Sequence, residues 1–401
     1  MVSNFNISLL KTAQKVLFLA RWYPDRYDPM TGLFIKRHAE VAAGFADVAV
    51  LYLRAAPEKP RSFYIDQVVE NDVNTVIVYY GTKSENLIFP TKLIASFLFV
   101  VAFIKGYRFL LKTWGMPAII HVNVLTRLGI FALWLRIFSG IRYVITEHWS
   151  RYLPITGTYT GFFRKLFTEI VVKNAETVST VSQNLANAMQ SHGLINHRYI
   201  VLPNVVDTDS YLPKPQRQKN EKIRFVHISC FEDRSKNISG LLNVVSKLSA
   251  IRNDFECFMV GEGIDLDRMK LLATELGLTE NNVVFTGLLE NEKLVEAYQN
   301  SCFMVMFSNY ENMPVVISES FSCGLPVVAT SVGGIPEYVN ETNGKLVAAK
   351  DEAALLGAIV YMLDHYKDFD KDMIRENAAN IFGKQAVAEK LLELYGFSKQ
   401  N

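Results

Sequence analysis

The chain has only four cysteines in 401 residues, and no two of them stand at metal-ligand spacing. Cys230, Cys257, Cys302 and Cys323 all fall in the second half and read as reduced, mostly buried thiols, which excludes a disulfide scaffold and suits the cytosol. An apolar run of bilayer length is also lacking. The longest, Leu93 to Ile104, is interrupted only by Ser96 and flanked by Lys92 and Lys105; its 12 residues fall short of a membrane span and are expected to form a core helix. Lys11 and Lys15 break the N-terminus before any apolar stretch of secretory length, so no export is expected. No complete Gly-x-Gly-x-x-Gly opens a helix after a strand, since Gly261-Glu-Gly263 stops short, and this argues against a nicotinamide enzyme. Short-period repeats, low-complexity segments and recognisable nucleic-acid modules are absent.

A large net charge is missing too, but the value of +2 conceals an asymmetry. Residues 1–205 carry 22 Lys and Arg against 12 Asp and Glu, whereas residues 206–401 carry 20 against 28. The basic half suits an anionic surface or acceptor, and attraction between the two halves is an equally physical reading.

What the chain does have is apolar content: half its residues are hydrophobic, enough for two cores of about 200 residues each. The polar, proline-bearing stretch from Asp207 to Lys222 marks the boundary. Short apolar runs read as strands at Lys15–Ala20, Val48–Leu53, Val76–Tyr80, Ala118–Val122 and Tyr143–Thr146. Beyond the boundary they recur at Arg224–Ser229, Phe255–Val260, Val283–Phe285, Cys302–Phe307 and Val327–Ala329. Helical stretches alternate with them, so the fold class is α/β, with two Rossmann-like domains whose parallel sheets face across a cleft. The expected divisions are 1–206, 207–380, and a final segment 381–401 whose helix, near Gln385 to Tyr395, returns to the first domain. Phe162-Phe-Arg-Lys-Leu-Phe167 interleaves aromatics with cations. It is read as an amphipathic helix packing Phe162, Leu166 and Phe163 inward, with a membrane-interface helix as the alternative.

The most telling segment is Glu311-Asn-Met-Pro-Val-Val-Ile-Ser-Glu319. It follows the buried run ending at Ser308 and opens a helix expected over Pro314 to Cys323, with Gly324 just past it. A helix N-terminus at the carboxyl end of a parallel strand offers unpaired N–H groups to anions, and a carboxylate there can accept two hydrogen bonds from a vicinal diol. Asp207-Thr-Asp209 and Asp265-Leu-Asp267 invite a metal reading, but two carboxylates alone do not build an octahedral site.

Together with Gly324-Leu-Pro-Val-Val-Ala-Thr-Ser-Val-Gly-Gly-Ile-Pro-Glu337, Leu202-Pro-Asn-Val-Val-Asp207, Val260-Gly-Glu-Gly263, Phe285-Thr-Gly287 and Asn343-Gly344, this segment resembles the retaining family-4 glycosyltransferases of the GT-B fold class over nearly the whole length. The resemblance implies transfer of a sugar from a nucleoside diphosphate sugar to a saccharide or lipid-linked saccharide, without a metal or other cofactor. It implies a cytoplasmic enzyme, in some relatives held at the inner face of the membrane by the basic N-terminal domain, with no nucleic-acid partner. Within it Glu311 contacts the transferred sugar, Glu319 the ribose, and Lys236 the leaving diphosphate. The arginine usual several residues before that lysine is replaced by Cys230, which leaves open whether Arg234 substitutes. Asn312, Met313 and Gly32 stand where backbone donors meet phosphate; Pro314 has no N–H to offer. His148, at the end of the strand Tyr143–Thr146, matches a histidine beside the transferred sugar, with Trp149 where an aspartate is common. His38, Arg21 and Trp22 border the acceptor, and His121 is read as structural or functional. Two rivals stay open, a GT-B-shaped sugar-nucleotide epimerase and a non-catalytic nucleotide-sugar-binding subunit.

Overall fold

The computed structural model describes residues 14–56, 63–81, 89–125, 127–213 and 222–397. The chain forms two compact units. Unit 1 gathers the chain up to Val181, Ala186–Leu202 and the chain from Val387; unit 2 holds Ser182–Leu185 and Pro203–Ala386. The divisions expected from sequence were at 206 and 381. Of the boundary stretch, 214–221 lies outside the described residues.

Unit 1 is built on an eight-stranded sheet of order β3-β4-β2-β1-β5-β6-β7-β8. Its strands are β1 (Lys15–Ala20), β2 (Asp47–Ala55), β3 (Phe63–Glu70), β4 (Val73–Tyr80), β5 (Ile119–Asn123), β6 (Arg142–Glu147), β7 (Val178–Thr180) and β8 (Tyr199–Val201). All pair in parallel except β3, which runs antiparallel to β4 at the edge. Val16 to Ala20 of β1 are buried, as a central strand covered on both faces must be, and each such aliphatic or aromatic side chain stabilises the fold by about 1.5–3 kcal/mol. A polar chain crosses this core: His121 bonds Tyr395 Oη through Nδ1 (2.9 Å) and Thr146 Oγ1 through Nε2 (2.6 Å), and Thr146 meets Ser179 Oγ (2.6 Å). His121 is fully buried and pushed well below the usual histidine range by that burial, with His38 adding to it. Its role is to fasten the C-terminal helix, Lys384–Tyr395, through Tyr395.

Two helix expectations need correction. The run at Leu93 belongs to a 25-residue helix, Phe89–Thr113, which by length and composition alone is able to cross a membrane. Its inner side, Phe99, Ala102, Phe103 and Leu110, is buried, and Gly106 lies so close to the sheet that a Cβ would meet Leu51 Cδ1 at 2.6 Å and Val78 Cγ2 at 2.7 Å. Leu93, Phe97, Val100 and Ile104 are nevertheless exposed, so it is a core helix on one face only. In the helix Phe162–Lys173, Phe162, Phe163 and Leu166 do not pack inward; they are 75, 71 and 40 % exposed. This helix docks by its C-terminal turn, where Val171 and Val172 are buried and Val171 fills the space a side chain at Gly129 would take.

Unit 2 carries a six-stranded, wholly parallel sheet of order β11-β10-β9-β12-β13-β14. Its strands are β9 (Ile223–Ile228), β10 (Phe255–Val260), β11 (Val283–Gly287), β12 (Phe303–Met306), β13 (Val327–Thr330) and β14 (Gly344–Val347). Phe225, Phe255 and Phe303 stack across three neighbouring strands. Among the parallel strands of each sheet the order reverses once, between β1 and β5 in unit 1 and between β9 and β12 in unit 2. Ligands of open α/β sheets bind outside the carboxyl ends of strands at such a reversal.

Candidate active site

At the reversal in unit 2, the chain leaving β9 forms a single helical turn, Asp233–Lys236, and the chain leaving β12 carries Ser308 and Glu311. Lys236 Nζ donates to Glu311 Oε1 at 2.5 Å, and Ser308 Oγ donates to the same oxygen at 2.9 Å. The two side chains are only 16 and 10 % exposed. Burial by itself lowers the Lys236 ammonium, but the Glu311 carboxylate outweighs it and the net direction is upward, so the lysine stays charged. His227 on β9 donates from Nδ1 to the Val305 carbonyl (3.0 Å), which leaves Nε2 to accept from Ser229 Oγ (2.8 Å). Burial pushes it down to about 4, with Lys236 adding to that, so it is neutral at physiological pH.

Glycines let the loops of this rim run backbone to backbone. A Cβ on Gly261 would sit 1.9 Å from the Ser229 carbonyl oxygen, and one on Gly333 would sit 1.8 Å from that of Glu311. Phe231 N–H donates to the Glu262 carbonyl, and Gly334 N–H to that of Asn312. The Gly-Glu-Gly and Gly-Gly segments thus brace the Lys236 and Glu311 loops. Asn312 and Met313 are buried beside Glu311, and the Met313 carbonyl accepts from Asn204 Nδ2 (3.3 Å).

Pro314 is extended and caps the helix Val315–Ser322, which begins one residue later and ends one residue earlier than the sequence suggested. Val315 and Val316, in the first turn, have no intrahelical acceptor for their N–H groups. Glu319, inside that helix, is 4 % exposed, and its Oε2 accepts from Tyr298 Oη at 3.0 Å. Arg234, by contrast, is exposed; Asn309 Nδ2 donates to its carbonyl, but its side chain does not meet Glu311. Of the two cations expected at a diphosphate, the fold therefore brings only Lys236 to Glu311. Cys230 is an exposed free thiol, whereas Cys257, Cys302 and Cys323 are buried. The two Asp-x-Asp segments have other partners. Asp207 pairs with Lys384 (2.9 Å), Asp265 accepts from the Asp233 N–H (2.8 Å), and no cluster of three metal-ligating side chains exists among the described residues.

In unit 1 the remaining candidates meet at the carboxyl ends of β1 and β6. The rings of His148 and Phe34 lie 4.5 Å apart, His148 and His38 5.6 Å, and Trp22 and Trp149 5.1 Å. Gly32, in the left-handed region, precedes the helix Leu33–Ala43, where a side chain would strike the Trp22 backbone at 2.4 Å. Its role in the fold is to let that loop press on Arg21-Trp22-Tyr23. One organising residue was missed from sequence. Glu147 at the end of β6 is fully buried and accepts the backbone N–H groups of Leu125 (2.9 Å), His148 (2.9 Å) and Trp149 (2.8 Å). Burial raises it to about 7 despite those three bonds and the nearby Arg151. A carboxylate closing a buried strand was the available signal.

A family model for glycosyltransferase family 4 matches residues 47–210 and one for glycosyl transferases group 1 matches 211–380, together most of the chain. The chain belongs to the family-4, group 1 glycosyltransferases. Among curated relatives it is 26 % identical over 238 residues to N-acetyl-alpha-D-glucosaminyl L-malate synthase of Bacillus anthracis, covering 56 % of this chain and 59 % of that one. It is 27 % identical over 250 residues to a GDP-mannose-dependent phosphatidylinositol monomannoside mannosyltransferase of Corynebacterium glutamicum, covering 58 and 62 %. The chain thus spans about 60 % of the length of these relatives. Among solved structures it resembles sucrose-phosphate synthase of Thermosynechococcus elongatus, with TM-score 0.75 at 19 % identity, covering 96 and 98 % of the two chains. It also resembles Anabaena HepE in complex with UDP-glucose, with TM-score 0.72 at 17 % identity, covering 95 and 99 %. These likenesses establish the GT-B fold, two parallel-sheet α/β domains, for this member of the family.

Proposed function

We propose that the protein is a retaining, metal-independent glycosyltransferase that moves a sugar from a nucleoside diphosphate sugar to a saccharide or lipid-linked saccharide acceptor in glycan synthesis. The observation that carries this reading is the buried Lys236–Glu311 pair at the strand-order reversal of unit 2. Breaking a sugar–phosphate bond develops charge on the leaving diphosphate, and a preorganised ammonium beside the free N–H groups of a helix N-terminus is suited to meet it. In that reading the diphosphate draws Lys236 away from Glu311. The freed carboxylate then faces the sugar, where its negative charge favours the positive anomeric centre of a same-face displacement. Asn312 and Met313 supply backbone contacts, Glu319 holds the ribose, and His148 donates to the sugar or its departing oxygen while His38, Arg21 and Trp22 border the acceptor.

The exposed apolar side chains of the helices Phe89–Thr113 and Phe162–Lys173 support peripheral attachment at the cytoplasmic face of a membrane. Incubation with a panel of nucleotide sugars, with and without acceptors, tests the reading, and NMR of the product reports the anomeric configuration. Transfer with retention is expected. Inversion overturns the mechanism, a changed donor sugar with no acceptor present makes the protein an epimerase, and binding without chemistry makes it a non-catalytic nucleotide-sugar-binding subunit.

A further inference from the structure

Unit 1 carries an open cavity of about 580 Å³, within the range of small-ligand sites. It lies at the reversal between β1 and β5, where Arg21 and Trp22 follow one strand and Leu125 and Arg127 the other. Five arginines line it, Arg21, Arg54, Arg127, Arg151 and Arg164, and no lining residue is acidic. They come from a strand, Arg54 on β2, and from separate loops and helices, so no spacing in the sequence announces them.

Arg54 has a carboxylate partner, the buried Asp25 at 3.2 Å. Among the described residues the other four form no ion pair, and Arg164 donates from Nη1 to the Thr160 carbonyl (3.3 Å). Arg151 Cζ lies 3.4 Å from the centre of the Trp149 ring and Arg127 Cζ 5.4 Å from that of Phe99. Stacking holds a guanidinium plane in place while its edge, where the N–H groups point, stays available to an oxyanion. The four cations also feel one another. Arg21 is lowered by burial and then by Arg127, while Arg151 is lowered first by burial, with Arg164 and Arg21 contributing. Arg21, Arg127 and Arg164 keep contact with solvent and Arg151 is half-buried, yet such a concentration of like charge still costs stability in the empty protein, and a dianion relieves it.

From this geometry, and resting on the acceptor side of the function proposed above, we infer that the cavity is the subsite for a phosphoryl group carried by the acceptor. A carboxylate is satisfied by one or two guanidinium forks; four unpaired arginines around one volume match the several oxygens and double charge of a phosphate ester or diphosphate. Glu147 fixes the walls, since two of the backbone groups it holds, Leu125 and Trp149, line the cavity. Phe163, Phe167 and Ile130 form an apolar side. The phosphate therefore comes from either a soluble sugar phosphate or a lipid phosphate.

Isothermal titration of the full chain, with the unit 2 site saturated by nucleoside diphosphate, tests this with three probes. These are inorganic pyrophosphate, a hexose 1-phosphate, and a long-chain alkyl phosphate in neutral phosphatidylcholine vesicles. Binding of at least one probe is expected, weakening as salt rises and falling about tenfold or more in Arg127→Met and in Arg151→Met, with partial recovery in Arg127→Lys. Preference for the soluble ester or for the vesicle-borne one identifies the source. Circular dichroism confirms folding, and nucleoside diphosphate affinity is expected to be unchanged in these variants. No binding by any probe, or equal binding by wild type and a folded Arg127→Met/Arg151→Met double variant, overturns the inference. Because the readout is binding, failure of sugar transfer with these affinities intact counts against the proposed function alone.

Discussion

Replacing Lys236 by alanine should act on both stability and turnover, and the two effects can be separated. Lys236 and Ser308 are the side chains that hold Glu311 Oε1, and both ends of the ion pair are nearly buried. Removing one partner of a buried pair strands the other charge, which costs about 3–5 kcal/mol; the 16 and 10 % residual exposure places this pair near the lower figure, about 3 kcal/mol. Glu311→Gln added to Lys236→Ala removes the stranded charge, so the double variant should recover much of that loss, and the coupling is read from a double-mutant cycle of urea midpoints. On turnover, loss of a preorganised transition-state cation should cost about 10²–10³-fold. Arg234→Ala should change stability by no more than about 0.5 kcal/mol, because its side chain is exposed, and should slow transfer far less than Lys236→Ala. Equal damage from Arg234→Ala would mean that this arginine swings onto the diphosphate in the place left by Cys230. A Lys236→Ala protein of wild-type stability and rate would refute both the pair's energetics and its chemistry.

Glu319→Ala should weaken nucleoside diphosphate binding about tenfold to a hundredfold by calorimetry, the worth of a charged hydrogen bond to ribose; unchanged affinity refutes that role. Transfer should survive excess EDTA, and activity restored only by a divalent cation would reopen the Asp-x-Asp segments. His227 should make unit 2 acid-sensitive. Its folded value of about 4 lies below its unfolded 6.5, so the unfolded chain binds the extra proton and stability falls by up to about 3 kcal/mol as pH drops through that window. Glu147, raised to about 7 from 4.5, works in the opposite direction in unit 1, favouring the fold below pH 4.5 and losing that contribution as pH rises to 7. Hydrogen exchange resolved by unit should show the two opposing slopes, and His227→Gln or Glu147→Gln should flatten its own.

The features legible in the sequence were those that local physics dictates. Strands buried on both faces must be continuous apolar runs, so β1 was readable to the residue, and β10 was too although Glu256 interrupts it and its burial alternates. The helix after Glu311 was marked by Pro314 and by Gly324, which adopts the left-handed conformation its place past the helix requires. The strands that escaped notice are those lacking this signature. β3 pairs antiparallel at an edge with Val68 and Val69 exposed, while β7 and β8 are three residues long and β14 four.

The orientation of an amphipathic helix is harder to read, because apolar periodicity says which residues share a face but not what covers that face. Phe162, Phe163 and Leu166 do share one, yet the closest approach to the fold is set one turn later, where Gly129 admits Val171. The candidate sites of the two units differ in legibility for a related reason. Glu311, Glu319 and Lys236 belong to contiguous loop and helix signatures, so their chemistry was visible in the chain. The arginine cavity draws on β1, β2, β5, β6 and the helix Phe162–Lys173, and only the parallel pairing of those strands places the loops side by side. What the sequence did carry was the aggregate, an excess of ten positive charges over residues 1–205. The fold shows that four of those charges converge on one cavity unpaired. An excess spread over a solvated surface would act mainly by long-range attraction, which salt screens; one concentrated between aromatic walls is positioned for a specific anion.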